Sequence, residues 1–167
     1  MTTDARVGVL DFIAVHQTDP LAAPQLAELA IEYTTRYGGD TTQGHSELLE
    51  YPAQEFEPPG GALIVALSAG VPVAGAAFRR CDAITAELKR IWTAAAHRRR
   101  GYGRLVVAEL ERIALQRGYT RIYLTTGWRQ PEAVALYLVA GYTPLYDRSL
   151  HSEEIGRHPF EKSLVQG

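Results

Sequence analysis

The chain has 167 residues, 46% of them hydrophobic and 22% charged. That is the size of one domain, at about 150 residues per domain, and such a chain buries about two-thirds of its unfolded surface without disulfide staples. The composition excludes long disorder, collagen and coiled coil, and no apolar run approaches the roughly 18 residues of a membrane span.

The segment Met1-Thr2-Thr3-Asp4 has no basic flank and no apolar core, so no export signal is expected. Cys81 is the single cysteine, which leaves no internal disulfide and no cysteine-based zinc site. A reduced, cytoplasmic setting is the expectation. The net charge of −2 hides an asymmetry. Residues 1–57 hold ten acids and two bases, whereas residues 79–121 hold eleven bases and four acids. The middle of the chain is therefore expected to hold something anionic.

In chain order, residues 10–15 predict a short strand, punctuated by Asp19-Pro20. Leu26, Leu29, Ala30, Tyr33 and Tyr37 recur at spacings of three and four, which predicts an amphipathic helix ended by Gly38-Gly39. Ser46-Glu47-Leu48-Leu49 predicts a shorter helix, and the prolines and glycines of 52–61 a loop. Residues 62–67 and 71–78 form two apolar runs around Ser68-Ala69-Gly70, the pattern of a β-hairpin. A third strand follows over about 84–93. Strict alternation puts Ala86, Leu88, Arg90 and Trp92 on one face and Glu87, Lys89, Ile91 and Thr93 on the other.

The period then changes. From Gly101 to Arg117, Val106, Leu110 and Ile113 form a helical stripe, with Gly118 as the C-cap. Residues 121–126 are the next strand, which makes a βαβ unit with parallel strands and a right-handed crossover. Pro131 opens another helix and Gly141 closes it. Residues 142–166 read as irregular, with a last strand near 160–164. The expected fold class is α/β: a mixed sheet with antiparallel strands first and a parallel pair at its centre, flanked by about four helices, in one domain over residues 1–167.

The sharpest local signal is His97-Arg98-Arg99-Arg100-Gly101-Tyr102-Gly103-Arg104, where a strand hands over to a helix. Glycines let backbone approach a ligand, unpaired N–H groups at a helix start favour anions, and arginines add charge-assisted hydrogen bonds. The combination points to phosphate or pyrophosphate; the plainer alternative is a glycine turn with solvated arginines. No Lys-Ser or Lys-Thr follows the glycines, so this is not a P-loop. A dinucleotide fingerprint would need glycine where Val106 stands. His97 reads as solvated. The other histidines (16, 45, 151 and 158) share no metal-ligand spacing, so no metal is expected. Cys81 reads as structural and Trp92 as core.

Arg98-Arg99-Arg100-Gly101-Tyr102-Gly103 matches R-x-x-G-x-G, and Ala133-Val134-Ala135-Leu136-Tyr137 through Gly141-Tyr142 matches A-x-x-L-Y-x-x-x-G-Y. With the strand 86–93 before them, these motifs resemble the GNAT N-acetyltransferase superfamily over about residues 60–145. The resemblance implies direct transfer of an acetyl group from acetyl-coenzyme A to a primary amine of a small molecule or peptide, in a ternary complex. It implies that the backbone around Arg98, Arg99, Arg100, Gly101, Tyr102, Gly103 and Arg104 holds the pyrophosphate. Pantetheine would lie between two splayed strands beside Ile91, Trp92 and Thr93, with Gln130 and Ala133 contributing from the later helix. The Ile91 N–H would polarise the thioester carbonyl.

By the same resemblance Tyr137 is the general acid for the departing thiolate, and Glu87 the general base for the amine. On the residues alone Tyr137 reads as a core tyrosine and Glu87 as a surface carboxylate paired with Lys89 or Arg90. The family often has glycine where Arg99 stands and asparagine where Gln130 stands. The acceptor side falls on about residues 25–60 and 143–158. Glu28, Glu32, Asp40, Glu47, Glu50, Glu55 and Glu57 make the first segment acidic, which suits a cationic amine; a solvated helix face is the alternative. A non-catalytic coenzyme A sensor is the competing function. Nucleic-acid and membrane partners are not expected, and a homodimer stays open.

Overall fold

The computed structural model describes residues 10–38, 52–127 and 129–165. Strand β1 (Asp11–Ala14) and helix α1 (Ala23–Tyr37) come first. Strands β2 (Ala62–Ser68), β3 (Val71–Arg80) and β4 (Thr85–Thr93) follow, then α2 (Tyr102–Gln116), β5 (Arg121–Thr126) and α3 (Pro131–Val139). The chain ends in β6 (Thr143–Pro144), α4 (Ser152–Ile155) and β7 (His158–Ser163). The seven strands form one sheet in the order β1-β2-β3-β4-β5-β7-β6. Among the described residues only the β4–β5 pair is parallel. The expected mixed α/β sheet is thus the observed one.

The two faces of the sheet bury different sets. Ile64, Ala76, Phe78 and Leu88 pack with Val106, Val107, Leu110 and Ala114 of α2, and Tyr137 of α3 joins the same core. The opposite face carries a smaller cluster of Ala22, Phe56, Leu63 and Ala77, with Leu26 and Ala30 of α1 also buried. The stripe predicted for α2 is the buried one because its period matches the helix. Fully burying a side chain such as Leu110 stabilises the fold by about 1.5–3 kcal/mol.

One reading changes. The segment 142–166 is more regular than expected: β6 and α4 precede β7, which begins at His158. Its hydrogen bonds come from long-range pairing with β5, which no local pattern announces. Cys81 is exposed, in the turn after β3. The helix expected at 46–49 lies outside the described residues. No helix among the described residues is long and apolar enough to cross a membrane.

Candidate active site

The centre of the sheet opens where the parallel pair ends. β4 and β5 pair only at Thr85↔Arg121, Ala86↔Ile122 and Glu87↔Tyr123. Beyond these, β4 runs on to Thr93 and β5 to Thr126 without pairing, which leaves a gap between them. Ala94 N donates to Val73 O on β3 at 2.8 Å. Successive amides of a strand point to opposite edges, so the Thr93 N–H faces the unpaired edge.

A bulge changes which side chains share a face. Gly75 pairs with Trp92 and Ala77 with Lys89, so Ala76 alone opposes Arg90 and Ile91. Arg90 takes up the extra residue with φ +60°. Leu88 therefore faces the α2 side with Phe78, and Ile91 packs on that side too. Thr93 is opposite Ala74, another residue of that core. Glu87 and Trp92 face α1 instead. The strict alternation expected from sequence put Glu87 on one face with Ile91 and Thr93; the bulge puts it on the other.

Below the gap the chain turns into α2. Arg98 is extended, Arg99 has φ +66°, and Gly101 is left-handed at φ +77° as the N-cap. No side chain caps α2, so its first-turn N–H groups stay open to a ligand. Gly103 lies where α2, β4 and α3 converge: an added Cβ would sit 3.3 Å from Leu136 Cδ2 and 3.4 Å from Thr93 Oγ1. An uncapped helix start, a positive-φ turn and a side-chain-free approach suit a phosphate-bearing ligand. Arg98, Arg99, Arg100 and Arg104 are all exposed around it. Arg98 donates to Glu32 at 3.3 Å, and Arg100 lies 3.3 Å from His97 Nδ1. His97 is not simply solvated, since its ring stacks on Tyr102 with centroids 6.1 Å apart.

Helix α3 brings the candidate acid. Tyr137 is 5% exposed and sits between Tyr142 and Phe160, ring centroids 5.7 and 5.6 Å away. Burial pushes its phenol well above the ordinary value near 10, because the apolar surroundings disfavour phenolate. The group is thus a proton-bearing donor throughout the physiological range. Tyr142 donates to Glu111 Oε2 at 2.8 Å, and Lys162 pairs with Glu111 Oε1 at 3.0 Å. Gln130 closes the β5–α3 turn: its Oε1 accepts from Thr126 Oγ1 and Gly127 N, both at 3.0 Å. That leaves its Nε2 for any contact with a ligand. Ala133, one turn into α3, is partly buried against the main core.

Glu87 is half-buried and paired. Arg79 lies 2.8 Å from Oε1 and Lys89 3.7 Å from Oε2. The predicted acidic rim is also paired where it is described. Glu28 accepts from Trp92 Nε1 and Ala95 N, Glu32 pairs with Arg36 and Arg98, Glu55 with Arg79, and Glu57 with His16. Asp40, Glu47 and Glu50 lie outside the described residues. Arg36 further ties α1 to α3, reaching the Arg129 carbonyl at 2.6 Å and the Glu132 carboxylate. Among the described residues no group of acids, histidines and cysteine could hold a metal ion.

Sequence reading missed Gln25 on α1 and gave Glu28 only as one acid of the acceptor-side segment. Gln25 donates to the Arg90 carbonyl and Glu28 accepts from the Trp92 indole. The signal available was a polar residue three positions on from Ala22, in the stripe that continues through Leu26, Leu29 and Ala30.

The acetyltransferase (GNAT) family model matches residues 24–142. No curated protein matches the sequence. Among solved structures, a Klebsiella pneumoniae protein shares 23% identity over 94% of this chain and 99% of its own, with a TM-score of 0.71. The PaiA N-acetyltransferase of Thermoplasma acidophilum, solved in complex with coenzyme A, shares 13% identity over 93% of this chain and 99% of its own, with a TM-score of 0.71. YncA of Salmonella typhimurium, solved with its cofactor acetyl-CoA, shares 16% identity over 95% of each chain, with a TM-score of 0.63. At these identities the likeness is one of fold.

Proposed function

The chain belongs to the acetyltransferase (GNAT) family, and on that premise we propose that it moves an acetyl group from acetyl-coenzyme A directly to a primary amine, in a ternary complex. The observation that carries the proposal is the opening of the parallel pair beside an uncapped helix start. In this reading the amides of Arg99 to Arg104 take the pyrophosphate and the exposed arginines screen its charge. Pantetheine enters the gap along the Thr93 edge, with Trp92 and Ala133 among the residues that shape its walls and the Gln130 amide within reach.

The amine nitrogen attacks the thioester carbonyl carbon, and negative charge gathers on the carbonyl oxygen. In this reading the Ile91 N–H donates to that oxygen, a fixed donor of the kind that often provides the largest catalytic term. When the carbon–sulfur bond breaks, the thiolate leaves toward Tyr137. A thiol near the cysteine reference of about 8.5 is a stronger acid than a buried phenol. Tyr137 therefore acts first as a hydrogen-bond donor to the departing sulfur, and the ammonium proton balances the reaction. Glu87 is the proposed acceptor of that proton, through a water. Its oxygens already receive Arg79 and Lys89 but each keeps a second lone pair.

The acceptor is an amine of a small molecule or peptide. A cationic one remains the proposal for the α1 side, although every described acid there already has a partner. The test is a panel of polyamine, aminoglycoside, lysine-peptide and amino-acid acceptors with acetyl-coenzyme A, read by free-thiol release and product mass. An acetylated amine with matching thiol supports the proposal. Cofactor binding without turnover of any amine would favour the sensor reading instead, and turnover of acidic amines alone would sink the cationic preference.

A further inference from the structure

Helix α1 buries a glutamine whose partner is the irregular point of β4. Gln25 is 0% exposed, and its Nε2 donates to the Arg90 carbonyl, 65 residues away, at 2.7 Å. Its Oε1 is buried with no hydrogen-bond partner. An amide left partly unsatisfied costs free energy that an apolar side chain would not. Helix packing alone therefore gives no reason for glutamine here.

Two neighbours fit around this contact. Gly75 on β3 has no side chain where the amide lies, since an added Cβ would fall 2.4 Å from Gln25 Oε1 and 3.0 Å from the Ile64 carbonyl. One turn along α1, Glu28 Oε1 accepts from Trp92 Nε1 and from Ala95 N, each at 3.1 Å. Helix α1 thus grips β4 at Arg90 and Trp92, on either side of Ile91, and the chain just beyond β4 at Ala95.

The Arg90 carbonyl and the Ile91 N–H belong to one peptide unit. That unit is planar and trans, so the two bonds point in opposite directions. A hydrogen bond that draws the carbonyl toward α1 therefore aims the N–H away from α1, toward the side of the sheet that carries α2 and α3. The same bond polarises the peptide and strengthens its N–H as a donor. The geometry points to Gln25 as a positioning residue that fixes the Arg90 bulge and so orients and polarises the Ile91 N–H. Its value for catalysis rests on the proposed role of that N–H at the thioester carbonyl.

The experiment pairs two variants with two readouts. Gln25→Met keeps the length and apolar stem but removes the donor. Gln25→Glu restores a donor only while the new carboxyl is protonated. Charged groups on that face of the sheet are Glu28 on α1, the Arg90 guanidinium, which bonds Gln17 and lies over Phe56, Arg79 on β3, which pairs with Glu55 and Glu87, and Lys89 beside Glu87 on β4. The readouts are kcat and KM for acetyl-coenzyme A with the best amine of the panel, and the Ile91 amide resonance of the free protein.

Gln25→Met should lower kcat about tenfold with KM for acetyl-coenzyme A unchanged, and should move the Ile91 amide proton upfield; a tenfold change is the size expected of one neutral hydrogen bond. Gln25→Glu should approach wild type in both readouts at acid pH and depart from it as pH rises. An unmoved Ile91 resonance in Gln25→Met overturns the inference, whether kcat is retained or falls together with stability. If the wild-type protein acetylates no amine, the proposed function fails, while the Ile91 resonance, which needs no acceptor, still decides the positioning role.

Discussion

Tyr137 meets Tyr142 edge-on, ring centroids 5.7 Å apart and planes at 63°. Tyr142 is in turn held by Glu111, and Glu111 by Lys162. The candidate acid is thus braced from behind by a tyrosine whose hydroxyl is already committed, while its own ring closes the core against Phe160. Removing only the Tyr137 oxygen leaves those ring contacts intact. Tyr137→Phe should lose at least about 100-fold in kcat, the lower range for a positioned proton donor, with coenzyme A affinity unchanged by titration calorimetry. Equal turnover in the two proteins would exclude Tyr137 as the donor.

The same two tyrosines predict an alkaline limit to stability. Burial raises Tyr137 above its unfolded value, and burial followed by Glu111 raises Tyr142. A raised folded pKa gives a contribution that is whole below the unfolded value near 10 and is lost as pH rises beyond it. The urea midpoint should hold from pH 7 to about 9. Above about pH 10 the stability should fall by up to about 1.4 kcal/mol per pH unit for each tyrosine. Tyr142→Phe should make the decline shallower; an unchanged slope would contradict its origin.

Two glycines of the motif should fail in different ways. Gly101 has a left-handed backbone in open space, so Gly101→Ala meets only backbone strain, about 1 kcal/mol of stability. Gly103 carries no such strain but faces Leu136 and Thr93. Gly103→Ala should change stability by less than about 1 kcal/mol, the Leu136 methyls yielding slightly. Its methyl group should weaken coenzyme A binding about tenfold, or about 1.4 kcal/mol. Urea denaturation and calorimetry on both variants separate the two effects, and the reverse pattern would remove Gly103 from the cofactor cleft.

Arg98 is shared between the motif and Glu32 at 3.3 Å. The guanidinium is half exposed, so the pair is worth at most about 1 kcal/mol. Glu32→Gln should free it for phosphate and tighten coenzyme A binding by less than about fivefold at low salt. The gain should vanish near 0.5 M salt, where the screening length falls to about 4 Å. Weaker binding in the variant would mean that Arg98 does not serve the cofactor.

The sheet and its helices were legible wherever one period governed a segment. Val106, Leu110 and Ile113 repeat as a helix buries them, and residues 121–126 alternate as a half-buried strand. The Arg90 bulge was not legible, because an arginine tolerates either face and the flanking Ile91 and Trp92 are apolar on both readings. It shows only in the register with β3 and in the contact with Gln25, 65 residues away. The uncapped glycine turn into α2 was legible because glycines, arginines and a change of period coincide within eight residues. The acceptor side was not, since acids in a sequence do not reveal their cations: Glu32 answers to Arg36 and Arg98, and Glu55 to Arg79. Gln130 looked like a ligand contact, yet half of its amide closes its own turn.

The most direct test of the central claim is a thermal-unfolding scan with and without acetyl-coenzyme A. A ligand held at about 100 times its Kd adds about 2.7 kcal/mol, which moves a domain of this size by several degrees. That rise is expected for the wild-type protein, with a smaller one for Gly103→Ala at the same concentration. An unchanged Tm at millimolar acetyl-coenzyme A would contradict the cleft between β4, α2 and α3 as a cofactor site.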